Sequence, residues 1–323
     1  MFLNKIDNIE FELTTLCNAR CPMCSRQVEE TCNPDKSIPQ HSITYKQIKN
    51  LELPYCDLTI SGNFGDPIAN PDALLILENL SKRVRSIGID TNASLRNKEF
   101  WTELGKLGIT VNFSIDGLED TNHIYRVNTN FDKIMENAQA YIDAGGKAIW
   151  KFIAFEHNEH QIEEAELLSK LMKFDGFKVE HSTRWLSKSF NVNDYIIAPS
   201  RLALENEHKF KYNVIEGNDI SCRSQNKNTL FITADFKLMP CCYFNVDRWK
   251  KPDEFNKYWD KVLKDNGKDF NDLNRYSIDQ ILRSDYYQSQ LINSWSDGSC
   301  WKTCKRLCNS TSYWNKKEIR NGF

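Results

Sequence analysis

The chain has 323 residues, 40% hydrophobic and 27% charged, with a formal net charge of −2 and a pI near 6.3. That length supports one large core plus an appended module, while the near-neutral charge excludes a dominant electrostatic pull toward nucleic acid. No apolar run approaches a membrane span, and the opening MFLNKIDNIEFEL lacks the basic-then-apolar shape of a secretion signal, so a cytoplasmic protein with no membrane partner is expected.

Taken in chain order, strand and helix patterns alternate. Ile9, Phe11 and Leu13 alternate with polar residues, as a half-buried strand does. Residues 57–61 (DLTIS), 86–90 (SIGID), 110–115 (TVNFSI), 149–155 (IWKFIAF) and 177–181 (FKVEH) read as further strands. A weak helix is predicted over 42–51. Leu74, Leu75, Leu77 and Leu80 follow the start signal Asn70-Pro71-Asp72 as a second helix. Phe100, Leu104 and Leu107 mark a third; Ile134, Ala138, Tyr141 and Ile142 mark a fourth that Gly145-Gly146 stops. Ile162, Ala165, Leu168, Leu171 and Met172 mark the fifth. Six strands alternating with five helices imply right-handed βαβ units and a parallel sheet, either open or an incomplete barrel. In both, ligands bind at the C-terminal ends of the strands.

The alternation fails after about Trp185. Residues 187–218 have no clean period. Beyond them, 229–232 (TLFI) and 237–239 (KLM) flank Thr233-Ala-Asp-Phe as a hairpin, and 278–292 reads as helix. This divides the chain into residues 1–186 and a small, irregular α+β module over 187–323, which metal helps to fold.

The 11 cysteines are the informative count. A reducing cytosol does not keep disulfides, so clustered thiols there point to metal or redox chemistry. Cys17, Cys21 and Cys24 form a C-x3-C-x2-C triplet just after the first strand. A [4Fe-4S] cube takes one thiolate per iron, so three ligands from one loop leave one iron open. The competing reading is zinc, but a zinc knuckle pairs two cysteines with a second nearby pair, and none is close here. The second group is Cys222, Cys241, Cys242, Cys300, Cys304 and Cys308. Its four-thiolate capacity suits zinc or an iron–sulfur cluster. Cys32 and Cys56 stand apart and read as free thiols or small buried hydrophobes.

The triplet LCNARCPMCS, set after a first strand, resembles the signature of radical S-adenosylmethionine (SAM) enzymes, with Met23 where that family usually has an aromatic residue. Later strand ends fit in order. Ser61-Gly-Asn-Phe-Gly-Asp-Pro resembles the glycine-rich G-x-G-E-P segment, with Asp66 for glutamate. Asp90-Thr-Asn-Ala resembles the T-N-G turn, with Ala93 for glycine. Ser114-Ile-Asp-Gly followed by Arg126 resembles the S-I-D-G…R pattern. The resemblance covers roughly residues 8–182 and implies an incomplete (βα)6 TIM-like barrel. It implies a catalytic [4Fe-4S] cluster on Cys17, Cys21 and Cys24, and SAM contacts from Gly62, Asp66, Asn92, Ser114, Asp116 and Arg126. Phe155 is read as core.

The hairpin between Cys222 and the "PC" at Cys241, with cysteines downstream, resembles the SPASM/twitch extension, although Phe236 stands where glycine is common. This implies a second, auxiliary [4Fe-4S] cluster on Cys222, Cys241 and two of Cys300, Cys304 and Cys308, the two left open. The implied activity is reductive cleavage of SAM to a 5′-deoxyadenosyl radical that abstracts a substrate hydrogen. A peptide or protein residue is the first expected target, and a small-molecule alcohol or sugar is the alternative. A reducing partner such as a flavodoxin or ferredoxin is implied. A non-catalytic iron–sulfur carrier or scaffold is the rival class, though it has no use for the SAM-like loops.

Overall fold

Period-two patterning sets the strands and decides which face of each is covered. In β1 (Asn8–Phe11), Ile9 and Phe11 are buried while Asn8 and Glu10 stay half-buried on the opposite face. The same alternation runs through β2 (Asp57–Ile60), β3 (Ser86–Thr91) and β4 (Thr110–Ser114). β5 (Lys147–Ala154) and β6 (Gly176–His181) complete the set. The computed structural model describes residues 1–28, 31–182, 200–201 and 219–309. The expected boundary at residues 186/187 lies outside them.

The apolar strand faces share one core with the helices between them. These are α1 (Tyr45–Asn50), α2 (Ala73–Ser81), α3 (Lys98–Gly105), α5 (Phe131–Asp143) and α6 (Ile162–Leu171), while α4 (Asn122–Tyr125) packs in a separate cluster with Cys21 and Met23. Thr44 and Gln47 close a capping box on α1. Asn97 and Asn130 cap α3 and α5 by accepting from Phe100 N and Lys133 N. The six strands pair in parallel in the order β6-β5-β4-β3-β2-β1, and the sheet does not close. This is an incomplete (βα)6 barrel. Its polar strand face carries Glu10, Thr59, Asp90, Ser114, Lys151 and Glu180.

The predicted hairpin forms, and it continues this sheet. β7 (Thr229–Ile232) pairs in parallel with β1, Phe11 opposite Ile232, and β8 (Leu238–Met239) pairs antiparallel with β7. All four residues of β7 are buried, because it is covered on both sides. Phe236, at the hairpin turn, has φ 62°, a left-handed conformation that explains why glycine suits the position. Its side chain is nonetheless buried in the common core, and that burial offsets the backbone cost.

The remaining helices are α7 (Arg223–Asn226), α8 (Cys242–Lys250), α9 (Pro252–Asn266), α10 (Ile278–Leu282), α11 (Leu291–Ser296) and α12 (Lys302–Leu307). The single helix expected over 278–292 is instead α10, a π turn at Tyr286–Gln290, and α11. Tyr286 and Tyr287 are both fully buried. Neighbouring residues of a regular helix diverge by about 100°, and the wider turn lets both rings point inward.

Candidate active site

The triplet loop leaves β1 and is pinned on two sides. Thr15 Oγ1 donates to Pro39 O at 2.8 Å, and Asp66 N donates to Leu16 O at 2.8 Å. Across the loop, Arg20 N donates to Val127 O at 2.8 Å and Asn128 Nδ2 to Asn18 O at 2.7 Å. Cys24 N donates to Cys21 O at 3.0 Å, which folds the last two cysteines into a turn. Ala19, Cys21 and Met23 pack with Tyr125 and Phe155, so Met23 does supply apolar bulk. Phe155 is core, packed against Tyr125 with ring centroids 4.5 Å apart and the ring planes tilted by 42°. Burial pushes the Cys17 thiol well up and the Cys21 thiol up to about 11. Such thiols ionise readily only when a metal takes the proton's place.

The glycine-rich loop lies directly against this segment. A Cβ on Gly65 would stand 1.9 Å from Thr14 O, and one on Gly62 2.2 Å from Gly65 O. Only glycine permits that approach. Asp66, expected to meet SAM, is buried and held by its neighbours. Its carboxylate accepts from Ile68 N (3.0 Å), Thr91 Oγ1 (2.9 Å), Asn92 N (2.8 Å) and Asn92 Nδ2 (2.7 Å). It therefore locks the loop after β2 to the loop after β3. In that next loop Ala93 has φ 54°, the left-handed turn for which the resembling family keeps glycine. Asn92 Nδ2 also approaches Asn18 Oδ1 at 3.2 Å and Cys17 Sγ at 3.7 Å.

The fourth strand end repeats this arrangement. Asp116 is fully buried, accepts from Ile153 N at 2.7 Å, and pairs with Arg126 Nε at 2.6 Å. It stands behind Arg126 rather than on the cavity wall. Burial opposes the Arg126 charge, but the Asp116 carboxylate outweighs it and holds the guanidinium protonated. Arg126 Nη1 lies 3.8 Å from Cys21 Sγ.

These loops enclose a cavity of about 480 Å³, whose wall includes Cys17, Cys21, Cys24, Gly62, Asp66, Asn92, Ser114 and Arg126. Of the SAM-site residues expected from sequence, only Asp116 is missing from that wall. Sequence reasoning missed Asp90, Glu180 and His181, which also line it. Lys151 bridges the first two, 3.4 Å from Asp90 Oδ1 and 3.3 Å from Glu180 Oε1. The signal was present: polar residues at every second position of otherwise apolar parallel strands. The donor set fits an iron–sulfur cluster. Three thiols share one wall of a cavity, and nitrogen donors stand beside two of them.

The family model for the radical SAM superfamily matches residues 11–170. The chain belongs to the radical SAM superfamily. It is 30% identical over 115 residues to the tungsten-containing aldehyde ferredoxin oxidoreductase cofactor-modifying protein of Pyrococcus furiosus, a match covering 35% of this chain and 32% of that relative. Among solved structures it is similar to Streptococcus suis SuiB bound to S-adenosylmethionine, with TM-score 0.51 and 17% identity. That match covers 74% of this chain and 61% of the SuiB chain. It is also similar to anSMEcpe with bound AdoMet and the Cp18Cys peptide, with TM-score 0.54 and 13% identity over 96% of this chain and 94% of that one. The match thus spans about a third of the curated relative and under two thirds of SuiB. At these identities the structural likeness speaks for the fold.

In this radical SAM protein the second cysteine group also gathers. Cys222, Cys241, Cys242, Cys304 and Cys308 line one cavity of about 140 Å³ between β7, α8 and α12. Cys300 is buried but is not on that wall. Cys242 turns its thiol to Glu10 on the polar face of β1. A hydrogen bond from Cys222, aided by the Arg223 N–H, lowers Cys308, and burial pushes Cys241 up to about 12. Cys56 is wholly buried, as a small hydrophobe would be.

α8 ties this cavity to the first. Asn245 Nδ2 donates to Glu12 Oε2 at 2.7 Å and to Asn63 Oδ1 at 3.1 Å, and Glu12 Oε1 accepts from Phe64 N at 2.7 Å. Lys250 Nζ meets Gln27 O and Asp35 Oδ2, each at 2.7 Å. One helix therefore starts at the second cysteine group and braces both the glycine-rich loop and the segment after Cys24.

Proposed function

We propose that the protein binds a [4Fe-4S] cluster on Cys17, Cys21 and Cys24 with SAM beside it, and abstracts a hydrogen atom from a residue of a peptide or protein. The observation that carries this is the shared cavity: the three thiols, the glycine-rich loop, Ser114 and Arg126 all line it. A reduced cluster bound there would supply the electron that splits SAM into methionine and a 5′-deoxyadenosyl radical. The chain's own residues supply the rest. The Arg126 guanidinium, held by Asp116, suits the methionyl carboxylate, with Ser114 beside it. The bare backbone at Gly62 admits the amino end. Asp66 holds both loops in register. A peptide substrate is supported by the fold shared with anSMEcpe, solved with a bound peptide.

The second cavity is read as the site of an auxiliary [4Fe-4S] cluster on Cys222, Cys241, Cys304 and Cys308, the four wall thiols left once Cys242 is assigned to Glu10. A flavodoxin- or ferredoxin-type protein would deliver the electron. The test is anaerobic reduction with dithionite in the presence of SAM. Wild type is expected to form 5′-deoxyadenosine slowly without substrate, and the variant with Cys17, Cys21 and Cys24 all changed to Ala to form none. Equal rates in both would overturn the assignment. A methylated product without 5′-deoxyadenosine would keep the cluster and remove the hydrogen abstraction.

A further inference from the structure

Two of the three triplet sulfurs have a nitrogen donor beside them, and each donor is fixed from behind by a buried carboxylate. Asn92 Nδ2 lies 3.7 Å from Cys17 Sγ; Asp66 Oδ2, at 2.7 Å, takes one of its two N–H groups, and Cys17 Sγ shares the other with Asn18 Oδ1 at 3.2 Å. Arg126 Nη1 lies 3.8 Å from Cys21 Sγ, and its Nε is held by Asp116 Oδ2 at 2.6 Å. The two arrangements come from different strand ends, after β3 and β4, and converge on one loop. Both carboxylates are at most 5% exposed, so neither is free to turn to solvent. Asn92 is held twice, through its backbone N at 2.8 Å and its side chain. A contact made only to bind SAM would not need donors within reach of the sulfurs.

We propose that Asn92 and Arg126 tune the reduction potential of the cluster held by the triplet, through N–H···S hydrogen bonds that Asp66 and Asp116 aim. One-electron reduction, by an external low-potential reductant, adds negative charge that spreads onto the sulfurs. Donors directed at those sulfurs stabilise the reduced state more than the oxidised one and so raise the potential. Arg126 adds a positive charge to its hydrogen bond and acts more strongly than the neutral Asn92. Cys24 has no such donor among the bonds of the described residues, so the effect falls on two of three ligands.

The inference rests on the proposed cluster, and the experiment separates the two. Iron-replete wild type, Asn92→Ala and Arg126→Lys are titrated with dithionite without SAM, and the reduced cluster is followed by electron paramagnetic resonance. Asn92→Ala removes a donor without changing charge, and Arg126→Lys keeps the charge but loses the fork. Each is expected to titrate at a more negative potential. At the wild-type midpoint, the reduced-to-oxidised ratio should fall about threefold to tenfold; tenfold is 59 mV for a one-electron couple. Wild-type midpoints in both iron-replete variants would overturn the inference while leaving the function standing. If one variant fails to load, the other decides. If neither loads, pulsed double resonance on reduced wild type decides: loss of proton couplings in D2O supports the bonds, and no change refutes them. A wild type that assembles no four-iron cluster overturns the function itself.

Discussion

Changing Glu12 to Gln tests whether the residue just after β1 is a buried acid that works against the fold at neutral pH. Glu12 is 1% exposed, and its oxygens accept from Phe64 N and Asn245 Nδ2, each at 2.7 Å. Burial pushes its carboxyl up to about 7 from 4.5, outweighing those hydrogen bonds. Below pH 4.5 both folded and unfolded chains hold the proton, so nothing is lost. Between that value and about 7 the unfolded chain has released it and the native chain has not, so rising pH favours unfolding. At about 1.4 kcal/mol per pH unit the total is roughly 3 kcal/mol, most of it lost by pH 7. Glutamine mimics the protonated acid, with the Asn245 amide turned to accept. Urea unfolding of wild type and Glu12→Gln, both reconstituted, would be compared between pH 5 and 8. The difference cancels what the clusters contribute. The wild type should lose about 2–3 kcal/mol relative to the variant over that range. Parallel pH curves would refute the reasoning, since they would mean that Glu12 ionises in the native state as it does unfolded.

The other expectations concern the two sites. Arg126→Ala should weaken SAM binding about tenfold or more, the worth of a lost charged hydrogen bond, while the cluster's visible spectrum persists; unchanged affinity by equilibrium dialysis would give Arg126 to the cluster or substrate alone. Reconstituted wild type should hold about eight irons, two four-iron clusters. Cys304→Ala should lower that towards four and Cys300→Ala should leave it unchanged, read by iron and sulfide analysis. Stoichiometric zinc with one cluster's iron would remove the auxiliary cluster.

The cysteine triplet, the parallel alternation and the order of strand-end loops were legible in the sequence because each rests on local spacing. A C-x3-C-x2-C loop keeps its three thiols together whatever surrounds it, and period two reports a strand's faces before its neighbours are known. Ala93 and Phe236 also announced themselves as departures at turns, and both have positive φ. What tertiary structure alone decided is where polar side chains spend their hydrogen bonds. Asp66 and Asp116 looked like cofactor contacts. The fold buries both and commits their oxygens to Asn92 and Arg126, because an unpaired carboxylate inside a core costs too much to leave unmet. Glu12 gave no signal, since its partners at Phe64 and Asn245 are 52 and 233 residues away in sequence. That Cys304 and Cys308 line the second cavity while Cys300 does not likewise depends on how α12 lies against β7 and α8, a packing of distant segments that spacing does not encode.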